Sequence, residues 1–209
     1  MISRRALLAG LAVAPMATAA PRTHALVIGD SWAFALTPRL AKVMKPKALR
    51  LAADARGGES ARNFLRRGWW RAAVERHAPR QIVACLGINC VKQERAVLAA
   101  TYAALVELSR SPVVFVAPAR EGFRFDLTYM HDALRESGVD VFWCPRLPLE
   151  PGDRVHLTHE GNVRLAGLLV GHLWPDDKTT SATALKGWSP AGGVAPPPAP
   201  PPVSVSRNL

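Results

Sequence analysis

Short apolar runs and helical patterns alternate along the middle of the chain. Most positions in five runs are apolar, which is typical of parallel strands that are covered on both faces. These runs are His24–Ile28, Ala48–Ala53, Gln81–Leu86, Pro112–Ala117 and Val139–Trp143. Between several of them, apolar residues recur with the period of a helix. The helical patterns cover Ser60–His77, Val91–Ser109 and Gly161–Leu173, and a further helix is expected to begin at Ser31.

The alternation of strand and helix predicts the architecture. Parallel strands joined by right-handed crossovers place helices on both faces of the sheet. We therefore predict an α/β fold, a three-layer α/β/α sandwich with a central parallel sheet of about five strands, in a flavodoxin-like arrangement. In such sheets the functional groups collect at the carboxyl ends of the strands.

The N-terminal end of the chain departs from this pattern. Residues 1–19 combine two arginines with a short apolar stretch and small residues at Ala17 and Ala19, which is the layout of an export signal. The adjacent Arg4 and Arg5 leave the twin-arginine and the general secretory routes open. An ordinary N-terminal helix is the alternative. We expect a periplasmic or secreted protein.

The C-terminal end departs from the pattern as well. Residues 181–209 include the sequence SPAGGVAPPPAPPP, which has no apolar periodicity and favours an extended, disordered chain. A wall-spanning spacer or a ligand for a proline-binding module is the alternative to a plain tail. Residues 20–180 are then the folded domain.

Composition narrows the class of protein. The chain has 209 residues, of which 49% are hydrophobic and 21% charged, and this excludes a fully disordered chain, a collagen and a coiled coil. Three cysteines are too few for a disulfide scaffold, and whether Cys90 and Cys144 pair is left open. No apolar run reaches transmembrane length, so we expect no integral membrane segment in the mature chain.

Positive charge is concentrated in one helical pattern. Lys and Arg total 27 against 16 Asp and Glu, which gives a net charge of +11. The pattern after Gly58 contains Arg62, Arg66, Arg67, Arg71 and Arg76. Such a run is ordinarily a solvated face, and the alternative is attraction to an acidic polymer, such as wall polysaccharide or lipid headgroups. No nucleic-acid-binding signature is present, so nucleic acid is not an expected partner.

Polar residues of types that take part in catalysis follow the predicted strands or precede the last helix. Ser31, Gly58 and Asn89 each come shortly after a strand, and Asp153 and His156 precede the last helix. Acyl transfer needs a hydroxyl nucleophile, a base with an orienting carboxylate, and preset donors for the oxyanion. Taken singly, Ser31 is more typical of a helix cap, Asn89 is also typical of a turn and His156 of a core histidine.

Four sequence blocks, in order, resemble those of the SGNH (GDSL-type) hydrolase family. They are Gly29-Asp30-Ser31, Gly58, Gly87-Ile88-Asn89 and Asp153-Arg154-Val155-His156, and together they span most of the domain. The resemblance implies that Ser31 is the nucleophile, His156 the base and Asp153 its orienting acid. It also implies an oxyanion hole made of the Ser31 amide, the Gly58 amide and the Asn89 side chain. It implies no cofactor.

Three positions depart from the family pattern. Trp32 stands where the family usually has Leu, Cys90 where it often has Asp, and His159 where it often has Pro. None of them replaces a group with an implied role. Trp32 and Cys90 lie beside the implied nucleophile and oxyanion donor, so they bear on substrate choice. His159 is expected to begin a helix.

We therefore expect an exported serine esterase that hydrolyses small acyl esters, such as O-acetyl groups on carbohydrate, through an acyl-Ser31 intermediate. An acyltransferase with the same triad and a catalytically silent ligand-binding module are the alternatives, and a phosphate binder that uses the turn Gly29–Trp32 is a weaker one. His24, His77, His131 and His172 have no ligand-like spacing, so no metal site is expected.

Overall fold

The structure is a computed structural model that describes residues 23–91 and 93–175. Its centre is a parallel sheet of five strands in the order β2-β1-β3-β4-β5. The strands are β1 (Ala25–Gly29), β2 (Leu51–Ala55), β3 (Gln81–Cys85), β4 (Val113–Ala117) and β5 (Asp140–Trp143). The predicted fold class is confirmed. β1 and β4 are buried at every position, as their continuous apolar runs indicate.

Six helices cover the two faces of the sheet. They are α1 (Ser31–Met44), α2 (Ala61–Arg66), α3 (Trp69–His77), α4 (Arg95–Glu107), α5 (Thr128–Ser137) and α6 (His159–Leu173). Helix α1 packs against α6, while α2 contacts α3 and α4, and α4 contacts α5. With right-handed crossovers and this strand order, α1 and α6 lie on one face and the other four helices on the opposite face.

Strands β1 and β3 lie side by side at the point where the chain changes direction. From β1 it crosses to β2 at one edge, and from β3 it crosses to β4 on the other side. The segments that follow β1 and β3 therefore separate and leave a crevice at the carboxyl end of the sheet. This is the place where ligands bind in open α/β sheets.

Several predicted boundaries differ from those of the structure. The pattern Val91–Ser109 forms a helix only over Arg95–Glu107. Two further differences have a clear cause in the backbone. The pattern Ser60–His77 forms two helices instead of one, because Gly68 adopts a left-handed conformation with φ +67° and interrupts them. The second strand begins at Leu51 and not at Ala48. Ala48 has a φ of +53° and ends a short 3-10 turn, so it cannot be part of an extended strand.

The predicted export signal and proline-rich tail lie outside the described residues. Among the residues that the structure describes, no helix combines the length and apolar character that crossing a membrane requires.

Helix α6 is held close to the loop before it by a glycine. The Thr158 side chain caps the helix by accepting from the Gly161 N–H at 3.1 Å. A Cβ atom on Gly161 would lie 2.6 Å from the Pro148 carbonyl oxygen. That oxygen also accepts from the Thr158 N–H at 3.0 Å. The loop that carries Asp153 and His156 is therefore closed at its base by a contact that leaves no room for a side chain.

Gly161→Ala is expected to lower the free energy of unfolding by about 1 to 3 kcal/mol, because the new methyl group must displace backbone. Gly171→Ala is the matched control in the same helix, since a Cβ there meets nothing within 4 Å. Alanine has the higher helix propensity, so Gly171→Ala should stabilise by up to about 1 kcal/mol. Urea denaturation of both variants measures the difference, and equal effects would contradict the packing argument.

Candidate active site

Ser31 lies at the carboxyl end of β1 and is the first residue of α1. Asp30 caps the helix, because its Oδ1 accepts from the Trp32 N–H at 2.9 Å. The first N–H groups of a helix have no partner within it and lie at the positive end of its dipole. The Ser31 N–H and Oγ therefore both face the crevice end of the sheet, in a site that favours a developing negative charge.

His156 reaches Ser31 from a loop 125 positions away in the chain. Its Nε2 lies 2.8 Å from Ser31 Oγ, and its Nδ1 lies 2.6 Å from Asp153 Oδ2. The three side chains form one hydrogen-bonded chain from hydroxyl to imidazole to carboxylate. The structure thus brings together the three side chains to which the sequence assigned the roles of nucleophile, base and orienting acid.

The Asp153 carboxyl fixes the tautomer of His156. Hydrogen bonds from the His156 ring and from the Val155 and His156 N–H groups lower the pKa of Asp153 to about 2. An ionised carboxylate only accepts hydrogen bonds. Nδ1 of a neutral His156 must therefore hold the proton, and Nε2 is left free to accept from the Ser31 hydroxyl.

The loop that carries this pair is closed on itself. Leu149 and Leu157 form an antiparallel bridge, and the Glu150 N–H donates to the His156 carbonyl at 2.8 Å. Arg154, with a φ of +53°, is one of three described non-glycine residues in the left-handed region. Such a conformation persists only where the surroundings enforce it, so the loop is rigidly specified.

Trp32 connects this loop to helix α1, which begins at Ser31. Its indole Nε1 donates to the Val155 carbonyl at 2.9 Å, and its ring contacts Phe123 with centroids 5.8 Å apart. The side chain is buried. The sequence marked Trp32 as a departure from the family pattern but gave no sign of this bond, which depends on where a distant loop passes.

The residues assigned to the oxyanion hole lie around the same crevice. Asn89 is in a 3-10 turn after β3 (Ile88–Cys90), and its Nδ2 lies 3.2 Å from Asp30 Oδ2 and 3.4 Å from the Glu59 carbonyl oxygen. The first bond orients the amide, and the second is long and exposed. Gly58 precedes Glu59 and has a φ of +75°, which favours glycine. Its loop therefore meets Asn89.

Asp30 is a site residue that sequence reasoning missed. It is 1% exposed, and burial raises its pKa to about 7 although the Trp32 N–H and the Asn89 amide both donate to it. Because this buried carboxyl binds both the first turn of α1 and the turn that carries Asn89, it is a positioning group. An aspartate immediately before a helix is a sequence signal for a cap, but its burial depends on the packing of the sheet.

Tyr129 is a second group that the sequence did not indicate. Its hydroxyl donates to the Gly87 and Ile88 carbonyl oxygens, at 3.0 and 3.1 Å, and so supports the turn that carries Asn89. It comes from α5, which the sequence pattern did not predict.

The three cysteines are buried as free thiols in the structure, so Cys90 and Cys144 do not pair there. Burial raises the pKa of Cys90 to about 11. His159 begins α6 as expected, and its Nδ1 lies 3.1 Å from an Arg39 guanidinium nitrogen. Within residues 23–91 and 93–175, no group of three or more His, Cys, Asp or Glu side chains is arranged to hold a metal ion.

Comparisons with known proteins establish a shared fold. No protein-family model and no curated protein matches the chain. The solved acetyl xylan esterase AlAXEase is 17% identical, with a TM-score of 0.56 over 71% of this chain and 99% of its own. A carbohydrate esterase of family 3 from Talaromyces cellulolyticus is 15% identical, with a TM-score of 0.59 over 72% and 96%. TesA is 19% identical, with a TM-score of 0.57 over 73% and 99%.

Asp30→Asn is expected to change how stability depends on pH. The folded protein keeps a proton on Asp30 that the unfolded chain releases above about pH 4, so the free energy of unfolding should fall as the pH rises from about 4 to 7. Asparagine cannot ionise. The variant should lose this fall, which is on the order of 4 kcal/mol for a pKa raised from 3.8 to about 7.

Asp126→Asn is the matched control for that measurement. Asp126 Oδ1 accepts from the Thr128 N–H at 2.9 Å, the same kind of bond that Asp30 makes, but Asp126 is exposed and hydrogen bonds from the Thr128 side chain and N–H lower its pKa. This variant should keep the wild-type fall between pH 4 and 7. Chemical denaturation across the pH range decides, and parallel curves for Asp30→Asn and wild type would contradict the assignment.

Proposed function

We propose that this protein is a serine esterase that hydrolyses small O-acyl esters, with O-acetylated carbohydrate as the substrate class. One observation carries the proposal, namely the continuous hydrogen-bonded chain from Ser31 Oγ through His156 to Asp153. Such a chain activates a hydroxyl that is otherwise a weak nucleophile. It lies at the crevice between β1 and β3, where ligands bind in open α/β sheets, and Ser31 is partly exposed there.

The first half of the reaction transfers the acyl group to the enzyme. Ser31 Oγ attacks the ester carbonyl carbon while its proton moves to His156 Nε2, and the carbonyl π electrons move to the oxygen. The imidazolium that forms is stabilised by the ionised Asp153 carboxylate. The tetrahedral intermediate then expels the alcohol oxygen, which takes the proton from Nε2. The product is an acyl-Ser31 ester.

The second half returns the enzyme to its starting state. A water molecule gives a proton to His156 Nε2 and attacks the acyl carbon. The second intermediate expels Ser31 Oγ, which recovers the proton, and a carboxylic acid is released. In both intermediates the oxyanion would be held by the Ser31 N–H, the Gly58 N–H and the second N–H of Asn89, which would give up its long bond to the Glu59 carbonyl. Preset donors of this kind typically contribute about 3 kcal/mol each.

The openness of the site supports a large alcohol and a small acyl group. The side chains of His156 and Asp153 are 41% and 43% exposed. A site this open suits an ester on the surface of a sugar chain, whereas a long acyl chain needs a deep apolar tunnel. That two solved proteins with this fold are named as an acetyl xylan esterase and a carbohydrate esterase supports the same substrate class.

Ser31→Ala is expected to abolish hydrolysis of 4-nitrophenyl acetate, with a fall in kcat/KM of at least about a thousandfold, because the nucleophilic oxygen is removed. It should also abolish covalent labelling by a fluorophosphonate probe. His156→Ala should have a similar effect on both readouts, since the two residues act as a unit.

Ser137→Ala is the control for a lost serine hydroxyl. Its Oγ donates to the Leu134 carbonyl at the end of α5, away from the crevice. We expect wild-type kcat/KM and labelling. Equal rates for wild type, Ser31→Ala and His156→Ala would contradict the proposal. Transfer of the acetyl group to an added alcohol in preference to water would identify an acyltransferase instead.

Trp32→Phe is expected to lower kcat by roughly tenfold, with a smaller change in KM. Removal of the indole N–H breaks its bond to the Val155 carbonyl, and a small displacement of the His156 loop weakens its contact with Ser31. Phenylalanine keeps most of the apolar contact with Phe123. Steady-state kinetics with the chromogenic acetate measures the two parameters separately.

Trp70→Phe separates positioning from general destabilisation. Trp70 is also buried, and its Nε1 donates at the same distance of 2.9 Å to Ser109 Oγ, which lies between α4 and the start of β4, at the amino end of the sheet. Both substitutions should cost roughly 1 to 2 kcal/mol of stability for the lost bond. Only Trp32→Phe should lower kcat. A similar kcat for both variants would show that the Trp32 bond has no positioning role.

A further inference from the structure

Arginine side chains cover the surface that adjoins the crevice on the side of β2. They belong to the loop after β2 and to helices α2 and α3, and all but Arg56 are exposed. We call this the arginine surface, and it consists of Arg56, Arg62, Arg66, Arg67 and Arg71. The proposed esterase chemistry uses none of these side chains.

Two of these arginines are held in place on an aromatic ring. The Arg56 guanidinium carbon lies 4.3 Å from the centroid of the Trp69 ring, and that of Arg67 lies 4.9 Å from it. Trp69 is itself fixed by an edge contact with the buried Phe64 ring. Stacking leaves the in-plane N–H groups of a guanidinium uncovered, so Arg67 is preorganised to bind an anion, whereas Arg56 also pairs with Asp54.

The surface carries an excess of positive charge that the protein does not neutralise. Between positions 54 and 77 there are six arginines and three acidic residues. Asp54 pairs with Arg56 at 3.2 Å and with Arg76 at 3.9 Å. In the described part of the chain, no carboxylate lies within 4.0 Å of the guanidinium groups of Arg62, Arg66, Arg67 or Arg71. These four cations are available to an external anion.

The arginine surface is continuous with the candidate oxyanion loop. Arg56 directly precedes Gly57 and Gly58, and its N–H donates to the Gly29 carbonyl at 2.8 Å. At the start of α2, Asn63 Nδ2 donates to Glu59 Oε2 at 2.7 Å. Helix α2 has six residues and is only about 9 Å long, so its exposed arginines remain close to the crevice.

The pattern of exposed groups favours an extended hydrophilic polyanion. The cations are spread along two successive helices, α2 and the start of α3, so they suit several charges of a chain better than one small acid. None of the large hydrophobic side chains that are exposed in residues 23–91 and 93–175 lies between positions 54 and 77. A surface that enters a membrane interface pairs its basic residues with exposed apolar ones, and the arginine surface does not.

We propose that the arginine surface binds the carboxylates of an acidic polysaccharide, a chain of uronic acid residues, and that the proposed esterase site removes acyl groups from this chain. This inference names the substrate class of the proposed function and rests on it for the second part only. Guanidinium groups bind carboxylates through two parallel hydrogen bonds. Sugar units on the arginine surface would place the next units of the chain at the crevice that contains Ser31.

Direct binding tests the first part independently of any reaction. The Ser31→Ala protein is titrated with polygalacturonate, and with the same polymer after its carboxyl groups have been reduced to alcohols. We expect binding to the charged polymer that weakens with added salt, and at least tenfold weaker binding to the reduced polymer. Equal affinity for the two polymers would overturn the proposal.

A charge-matched pair of variants locates the binding. Arg62→Gln, Arg66→Gln and Arg67→Gln combined should weaken polygalacturonate binding by roughly tenfold, because several exposed ion pairs each contribute a small part. The control replaces Lys42, Arg80 and Arg110 by Gln, three exposed cations that precede strands or end α1, at the opposite end of the sheet. It should change the affinity less than about twofold. Equal losses would show that only net charge matters and would overturn the assigned surface.

Two further ligands test whether the arginine surface prefers carboxylates or phosphates. Double-stranded DNA and vesicles of anionic phospholipid present phosphates instead of carboxylates. Tighter binding to either of them than to polygalacturonate would overturn the assignment to an acidic polysaccharide and would indicate a phosphate partner.

Activity measurements then separate this inference from the proposed function. With wild-type enzyme, kcat/KM for acetylated polygalacturonate should exceed that for acetylated neutral xylan by about tenfold, and the triple arginine variant should lose this preference. If 4-nitrophenyl acetate is not hydrolysed, the proposed function fails while the binding result stands. If the chromogenic ester is hydrolysed but the charged polymer is not preferred, the inference about the substrate class fails alone.

Discussion

The 2.8 Å contact between Ser31 Oγ and His156 Nε2 is the constraint on which the candidate site depends. Two partners that are 125 positions apart must meet within a few tenths of an ångström. One partner is fixed by the sheet, since Ser31 directly follows β1 and its cap. The other is fixed by a loop that is bridged at Leu149 and Leu157 and closed at Pro148. The Trp32 indole joins the two, so a displacement of either the helix or the loop would change the distance between Ser31 Oγ and His156 Nε2.

Asp30 shows how stability is given up for the geometry of the site. A buried carboxyl is unfavourable when ionised, which is why its pKa rises to about 7. The same carboxyl accepts from the Trp32 N–H in the first turn of α1 and from the Asn89 amide in the turn after β3. An apolar residue would cost less free energy to bury, but it would accept a hydrogen bond from neither group. The carboxyl therefore couples the carboxyl ends of β1 and β3.

The sequence predicted those features that depend on local pattern. Continuous apolar runs marked the strands because both faces of the sheet are covered, and the order of polar blocks after the strands indicated which side chains would meet. The break at Gly68 was not predicted, since a glycine inside a helical pattern is often tolerated. Helix α5 was missed because its buried positions include His131 among polar neighbours. The bonds of Trp32 and Tyr129 depend on tertiary contacts that no local pattern contains.

The loop from Ala55 to Ser60 connects the two functions that we propose. Its glycines leave the backbone exposed beside Asn89, and its first arginine stacks on Trp69. The bond from the Arg56 N–H to the Gly29 carbonyl holds this loop against the end of β1. Recognition and reaction would thus share a backbone segment. In the proposed reaction the reacting groups come from the segments after β1 and β3 and from the His156 loop, so the arginines would set which polymer is bound without altering the proposed proton transfers at Ser31. The charge of the surface would determine the substrate, and the buried contacts would determine the reaction.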